Sequence, residues 1–132
     1  MSTRRQFLAG TAMLAGVSVV KAVPAFAWQF SMEKGIIYTN SQTGMWKGKE
    51  KSHVPIVDTK NLLVMMTTPH PMSQEHYIVR HTIVSEDGEV VHAKTFSWKD
   101  DPVSKAALKK KGKYVATSFC NLHDMWVKEF TV

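Results

Sequence analysis

The chain is divided into short apolar segments of strand length, and this spacing limits the folds that it can adopt. Two such segments, residues 54–57 and 62–67, lie a few residues apart. Residues 77–84 and 89–98 flank Ser-Glu-Asp-Gly, in which Asp-Gly favours a tight hairpin turn. The remaining segments of this kind are residues 113–120 and 126–132.

Six or seven short strands in one small domain predict an all-β fold, namely an immunoglobulin-like antiparallel β-sandwich of about seven strands. Residues 104–109 alone have helical propensity, and they suit a polar edge strand or a connecting turn equally well. Residues 28–51, which three glycines interrupt, are predicted to form an N-terminal arm and a loop.

The N-terminus has the pattern of an export signal. Arg4 and Arg5 precede a weakly apolar stretch at residues 9–20, and Ala25-Phe26-Ala27 fits a small-x-small cleavage site. We therefore predict a twin-arginine signal peptide at residues 1–27, a single domain at residues 28–132 and a periplasmic location. The apolar stretch is shorter than the roughly 20 residues that span a bilayer, so the cleaved protein is expected not to cross the membrane.

Charge and cysteine content exclude several kinds of function. Without residues 1–27 the chain keeps 14 of its 17 basic residues and all 11 acidic ones, which gives a net charge of +3. This small excess argues against nucleic-acid binding, although it would attract a small anion. The single cysteine excludes an internal disulfide and a four-thiolate metal site.

Three short motifs bring together the residue types that bind a redox metal. They contribute four imidazoles and the only thiol of the chain: His53, His70, His76, Cys120 and His123. A nitrogen-rich set with one sulfur suits iron or copper better than structural zinc. The two prolines beside His70 restrict its backbone, which would preorganise a ligand. His81 and His92 lack such a context and are interpreted as residues of the hairpin strands.

The motifs resemble a known family when taken in order. They are His-Val-Pro at residues 53–55, His-Pro-Met-x-x-x-His-Tyr-Ile at 70–78 and Cys-Asn-x-His-x-x-Trp at 120–126. In this order they resemble the superoxide reductases, and most closely the one-iron neelaredoxin class, which is related to the iron domain of desulfoferrodoxin. The resemblance covers about residues 44–131.

This resemblance implies both a cofactor and a reaction. It implies one iron ion per chain, bound by the four imidazoles, with Cys120 as the axial thiolate. It also implies that superoxide is the substrate and that hydrogen peroxide is the product. The electron donor would be an exported protein, which the sequence does not identify, and relatives that form dimers and tetramers favour a homo-oligomer.

Two positions depart from the family pattern. The family carries Glu-Lys directly before the first histidine, where Glu binds ferric iron and Lys presents positive charge to the substrate. Glu50 and Lys51 are the corresponding catalytic candidates here, but Ser52 separates them from His53. Asp124 stands where glycine is usual, and we expect it to be an exposed turn residue.

Two other functions fit part of the pattern. A cupredoxin-like copper carrier would use Cys120, His123 and one upstream histidine, with Met125 as a weak axial ligand. The gap between His123 and Met125 is short for such a site, and copper would leave two motif histidines unexplained. The third interpretation keeps the iron in an electron-transfer or sensing module that reacts poorly with superoxide.

Overall fold

The computed structural model describes residues 35–132, which form eight strands and two short helical turns. The helical turns are the 3-10 helix Gly44–Trp46 and helix α1 (Glu50–His53). The strands are β1 (Ile37–Tyr38), β2 (Ile56–Lys60), β3 (Leu63–Thr67), β4 (Ile78–Ser85), β5 (Val90–Thr95), β6 (Val103–Ala107), β7 (Lys113–Cys120) and β8 (Asp124–Thr131).

The strands form two sheets, and the predicted all-β immunoglobulin-like sandwich is confirmed. One sheet has the order β1-β8-β7-β4-β5, and the other has the order β2-β3-β6. All the pairings are antiparallel except that of β1, which runs parallel to β8. Asp-Gly lies in the turn that joins β4 to β5, as its sequence predicts.

Alternation along β7 decides which side chains face the interior. Tyr114, Ala116, Ser118 and Cys120 are all buried, because every second side chain of a strand points to the same face. Cys120 is the last residue of this strand. The inward face of β7 therefore ends at the thiol.

Apolar side chains fill the space between the sheets. The largest cluster contains Val64 and Met66 of β3, Ile83 of β4, and Tyr114 and Ala116 of β7. Two smaller clusters lie beside the motif residues: one contains Tyr38, Val54 and Trp126, and the other contains Ile78, Phe96 and Cys120. Burial of such side chains stabilises the fold by about 1.5–3 kcal/mol each.

Residues 103–107 form a strand at the edge of the smaller sheet, which is the edge-strand alternative left open for residues 104–109, because pairing with β3 outweighs the helical propensity of the sequence. Two local predictions need correction. Residues 37–38 form β1 rather than part of an arm, through parallel pairing with β8. Residues 50–53 form α1 rather than a loop, because the carbonyls of Lys49 and Glu50 accept the amides of His53 and Val54.

The predicted signal peptide at residues 1–27 lies outside the described residues. Between residues 35 and 132, no helix is long and apolar enough to cross a membrane.

Candidate metal centre

His53 ends helix α1 and is only 3% exposed. Its Nδ1–H donates to the carbonyl oxygen of Lys49 at 2.9 Å, and the Ser52 hydroxyl lies 2.8 Å from the same nitrogen. Because a carbonyl only accepts hydrogen bonds, this contact places the ring proton on Nδ1 and leaves Nε2 with a free lone pair. The inserted Ser52 therefore helps to orient His53.

His70 and His76 come from the loop between β3 and β4. The backbone N–H of His70 donates to the carbonyl of Thr68 at 2.8 Å, which fixes the chain just after β3. His76 closes a tight turn, in which its backbone N–H donates to the Ser73 carbonyl and its carbonyl accepts the Ser73 N–H. The two imidazoles meet with their Nε2 atoms 3.0 Å apart.

Asn121 fastens this loop to the turn that carries the cysteine. Its side-chain oxygen accepts the N–H of Tyr77 at 3.0 Å, and its amide donates to the Glu75 carbonyl at 3.0 Å. The two bonded residues lie on either side of His76. Asn121 is thus a positioning residue, and its place directly after Cys120 is the one sequence signal for this role.

Cys120 ends β7, and its sulfur lies 3.7 Å from Nδ1 of His123. Burial raises the pKa of the Cys120 thiol, whereas hydrogen bonds from the backbone N–H groups of Leu122 and His123 lower it. These two amides therefore stabilise a thiolate at this position. The carbonyl of His123 accepts the indole N–H of Trp126 at 2.8 Å, which fixes the backbone of the turn.

The five donors meet in one place. One ligand atom of each lies within 4.8 Å of all the others, and the residues are His53, His70, His76, Cys120 and His123. Nδ1 of His123 lies 3.1 Å from Nε2 of His53 and 3.0 Å from Nε2 of His76, which in turn lies 3.0 Å from Nε2 of His70.

These distances fit four nitrogens around one metal ion. A square with an edge of 3.0 Å has its centre about 2.1 Å from each corner, a typical metal–imidazole distance. Nε2 of His53 carries no proton and can only accept a hydrogen bond. Nδ1 of His123 would have to donate its single proton to it and could not also form a linear hydrogen bond with Nε2 of His76. A metal at the centre would satisfy all four lone pairs, with the sulfur as a fifth donor.

Three of the imidazoles are held in the neutral form that can bind a metal. Burial is the main cause that lowers the pKa of His53 to about 4; the hydrogen bond to Lys49 opposes this shift, and the neighbouring imidazoles add to it. Burial and then His76 lower the pKa of His70 to about 4, and burial also lowers the pKa of His123. At neutral pH these rings are therefore uncharged and offer lone pairs.

Glu50 and Lys51 lie on another side of α1. Both line a surface groove with Val54, Pro55 and Ile56, and none of the five donors lines it. The Glu50 carboxylate accepts the backbone N–H of Gly48 at 2.8 Å. The catalytic roles of Glu50 and Lys51 therefore stay predictions.

Asp124 does more than occupy a turn. Its φ of 64° is left-handed, which is a conformation that glycine adopts most easily and that Asp tolerates. Its carboxylate accepts the indole N–H of Trp46 at 3.0 Å, and the Trp46 ring stands edge-on to His123 with centroids 4.7 Å apart. The Asp124 carboxylate thus fixes the Trp46 indole, which packs against the imidazole of His123 and restricts its orientation.

His81 and His92 lie on the hairpin strands, as interpreted from the sequence, and neither belongs to the five-donor cluster. His81 is fully buried between the sheets. Its Nε2 lies 2.7 Å from the Thr68 hydroxyl and its Nδ1 lies 2.9 Å from the Ser104 hydroxyl. The Thr68 hydroxyl also lies 2.7 Å from that of Ser118, so this network joins the two sheets.

Comparison with known sequences places this arrangement in a family. The sequence model of the family described as Desulfoferrodoxin matches residues 44–129, a range that contains all five donors. The chain belongs to the desulfoferrodoxin family. A superoxide reductase of Pyrococcus abyssi is 32% identical to this family member over 107 residues, which cover 67% of the chain and 91% of that protein. The superoxide reductase of Thermococcus kodakarensis is 31% identical over 110 residues, with 69% and 94% covered.

Solved structures of the desulfoferrodoxin family show the same fold. A superoxide reductase (neelaredoxin) from Ignicoccus hospitalis superposes with a TM-score of 0.61 and 23% sequence identity. The superposition covers 73% of this chain and 93% of that one. A mutant of the neelaredoxin from Archaeoglobus fulgidus, in its reduced form, gives a TM-score of 0.54 and 28% identity, with 62% and 90% covered.

Proposed function

We propose that this member of the desulfoferrodoxin family is a superoxide reductase that binds one iron ion per chain. The observation that carries this proposal is the meeting of four imidazole nitrogens and one sulfur within 4.8 Å. The nitrogens would come from His53, His70, His76 and His123, and the sulfur from Cys120.

The reaction consumes one electron and two protons for each superoxide anion and yields hydrogen peroxide. Ferrous iron held by these donors would supply the electron and polarise the oxygen species, and a thiolate donor would favour this chemistry. The protein orients the ligands. His53 keeps its lone pair directed inward through its bond to Lys49, and Asn121 holds the loop on both sides of His76.

Burial protects the thiolate from side reactions. Cys120 is 0% exposed and packs with Ile78 and Phe96, so small oxidants in solution do not reach its sulfur directly. His76 and His123, by contrast, are only partly buried. The more open imidazole side of the site would therefore admit the anion, with the sulfur on the buried side.

Two measurements test this function. Metal analysis of the purified protein should find about one iron per chain, and copper with little iron would favour the electron-carrier interpretation. After reduction, the protein should remove superoxide in a second-order reaction that forms peroxide without releasing oxygen. Superoxide that decays only at its spontaneous rate in the presence of the reduced, iron-containing protein would refute the proposal.

A substitution at Cys120 tests the donor set, and a substitution at Ser41 serves as its control. Cys120→Ser keeps the size of the side chain but removes the thiolate, so it should abolish superoxide reduction and weaken iron retention. Ser41→Ala changes an exposed hydroxyl outside the cluster and should leave both properties as in the wild type. A fully active Cys120→Ser protein would contradict the assigned donor set.

We also propose that the protein acts in the periplasm after export. The twin arginines, the short apolar stretch and the Ala-x-Ala site support this location. The electron donor would then be another exported redox protein, and self-association into a homo-oligomer is expected. Replacement of Arg4 and Arg5 by lysine should retain the uncleaved protein in the cytoplasm, which cell fractionation would detect.

A further inference from the structure

Lys49 shares a face of the first helical turn with His53. Its backbone lies in the right-handed helical region, and its carbonyl accepts both the backbone N–H of His53 at 3.1 Å and the Nδ1–H of His53 at 2.9 Å. Side chains four residues apart in a helical turn lie on the same side of it. The Lys49 side chain therefore starts from the side of α1 that carries His53.

Lys49 and Lys51 also differ in their surroundings. The Lys49 side chain is half-buried, whereas that of Lys51 is exposed and lines the groove on the other side of the turn. Two residues along a helix correspond to a rotation of about 200°. The helical turn that ends at His53 therefore directs Lys49, rather than Lys51, toward the donors.

We propose that Lys49 is the residue that presents positive charge to the superoxide anion as it approaches the metal centre. The proposal rests on the proposed function, since it assigns a role in that same reaction. Lys49 has a long flexible stem, so its ammonium can follow a monoanion into the site while its backbone carbonyl remains bound to His53. Removal of Lys49 should therefore weaken anion attraction without removing a donor.

The test compares three single-charge deletions in the iron-containing protein. These are Lys49→Ala, Lys51→Ala and the matched control Lys60→Ala, which removes an exposed charge at the end of β2 in the other sheet. Lys49→Arg restores the charge. Iron content and the visible absorption of the ferric thiolate centre establish that each variant has an intact site.

The first readout is the second-order rate of superoxide removal, measured from about 0.01 M to 0.15 M ionic strength, between which the screening length falls from about 30 Å to about 8 Å. Lys49→Ala should lower the rate at low ionic strength by about threefold to tenfold and should flatten its salt dependence. Lys49→Arg should recover most of the rate, and Lys60→Ala should leave it unchanged.

The second readout is the dissociation constant of azide, a monoanion that binds ferric iron, from spectroscopic titration. It should rise by a similar factor in Lys49→Ala alone. An unchanged rate and azide affinity in Lys49→Ala, or losses confined to Lys51→Ala, would overturn the proposal. The azide titration separates the proposed function from the proposed role of Lys49. A wild-type protein that does not react with superoxide would refute the proposed function, but its azide affinity would still measure the effect of the Lys49 charge.

Discussion

The buried His81 should make the stability of the fold depend on pH in a way that one substitution can isolate. The ring is 0% exposed, and both of its nitrogens contact hydroxyl groups between the sheets. Burial, and then the charges of His92 and Lys94, lower the pKa of His81 from 6.5 to about 4. The folded protein therefore holds this imidazole in its neutral form.

The sign and size of the effect follow from proton linkage. Between pH 6.5 and pH 4 the unfolded chain binds a proton at His81 that the folded chain does not bind. The contribution of this group to stability is therefore fully present above pH 6.5 and is lost as the pH falls toward 4. The loss is about 1.4 kcal/mol per pH unit, which gives about 2 kcal/mol at pH 5 and about 3 kcal/mol at pH 4.

The assay compares the wild type with His81→Gln, which retains polar groups for Thr68 and Ser104 but does not titrate. Urea unfolding, followed by tryptophan fluorescence, gives the free energy of unfolding of each protein at several pH values between 7.5 and 5. At pH 7.5 the variant should be less stable by about 1–3 kcal/mol, because a buried hydrogen-bonded ring is replaced. At pH 5 this difference should have decreased by about 2 kcal/mol.

Comparing the two proteins cancels the contribution of the proposed metal ligands to the measured pH dependence. His53, His70, His76 and His123 are present in both, so their protonation and any loss of iron contribute equally to each curve. A stability difference that stays constant between pH 7.5 and pH 5 would mean that His81 has the same pKa in the folded and unfolded chains. That result would refute the reasoning from burial.

The remaining predictions concern the two residues that support the donors from outside. Asp124→Asn keeps an acceptor for the neighbouring indole and tolerates the left-handed backbone, but it removes a negative charge beside the metal centre. It should raise the reduction potential of the iron by about 60 mV, a tenfold change in a one-electron equilibrium, whereas an unchanged potential in redox titration would contradict an electrostatic role. Asn121→Ala removes both side-chain hydrogen bonds to the loop around His76 and should accelerate iron loss to a chelator by about tenfold or more. Equal rates of loss in this variant and the wild type would show that the loop holds its position without Asn121.

The donors and most strands could be predicted because their signals are local. The residues of each motif lie only a few positions apart, and the strand β7 begins and ends where its apolar pattern does. The partners that join distant segments could not be found in this way. Trp46 and Asp124 are 78 residues apart, and nothing near either residue in the sequence indicates their hydrogen bond.

Which of Lys49 and Lys51 lies on the same side as His53 depends on the helical turn at residues 50–53, which the sequence did not indicate. Treated as part of a loop, Lys51 is the lysine nearest to His53 along the chain. In the helical turn, however, Lys49 is the one that lies on the side of His53. His81 did have a signal, because it stands two residues before the buried Ile83 and alternation places both on the inward face of β4.

The hydrogen-bond network around His81 includes two residues, Thr68 and Ser118, that lie close in the chain to proposed metal ligands. The hydroxyls of Thr68 and Ser118, 2.7 Å apart, connect the segments on the two sides of the sandwich, and each residue stands two positions before a donor. Ser118 and Cys120 share the inward face of β7, and the Thr68 carbonyl accepts the N–H of His70. A neutral imidazole at position 81 therefore satisfies the hydroxyls that fix these two donor-bearing segments relative to each other.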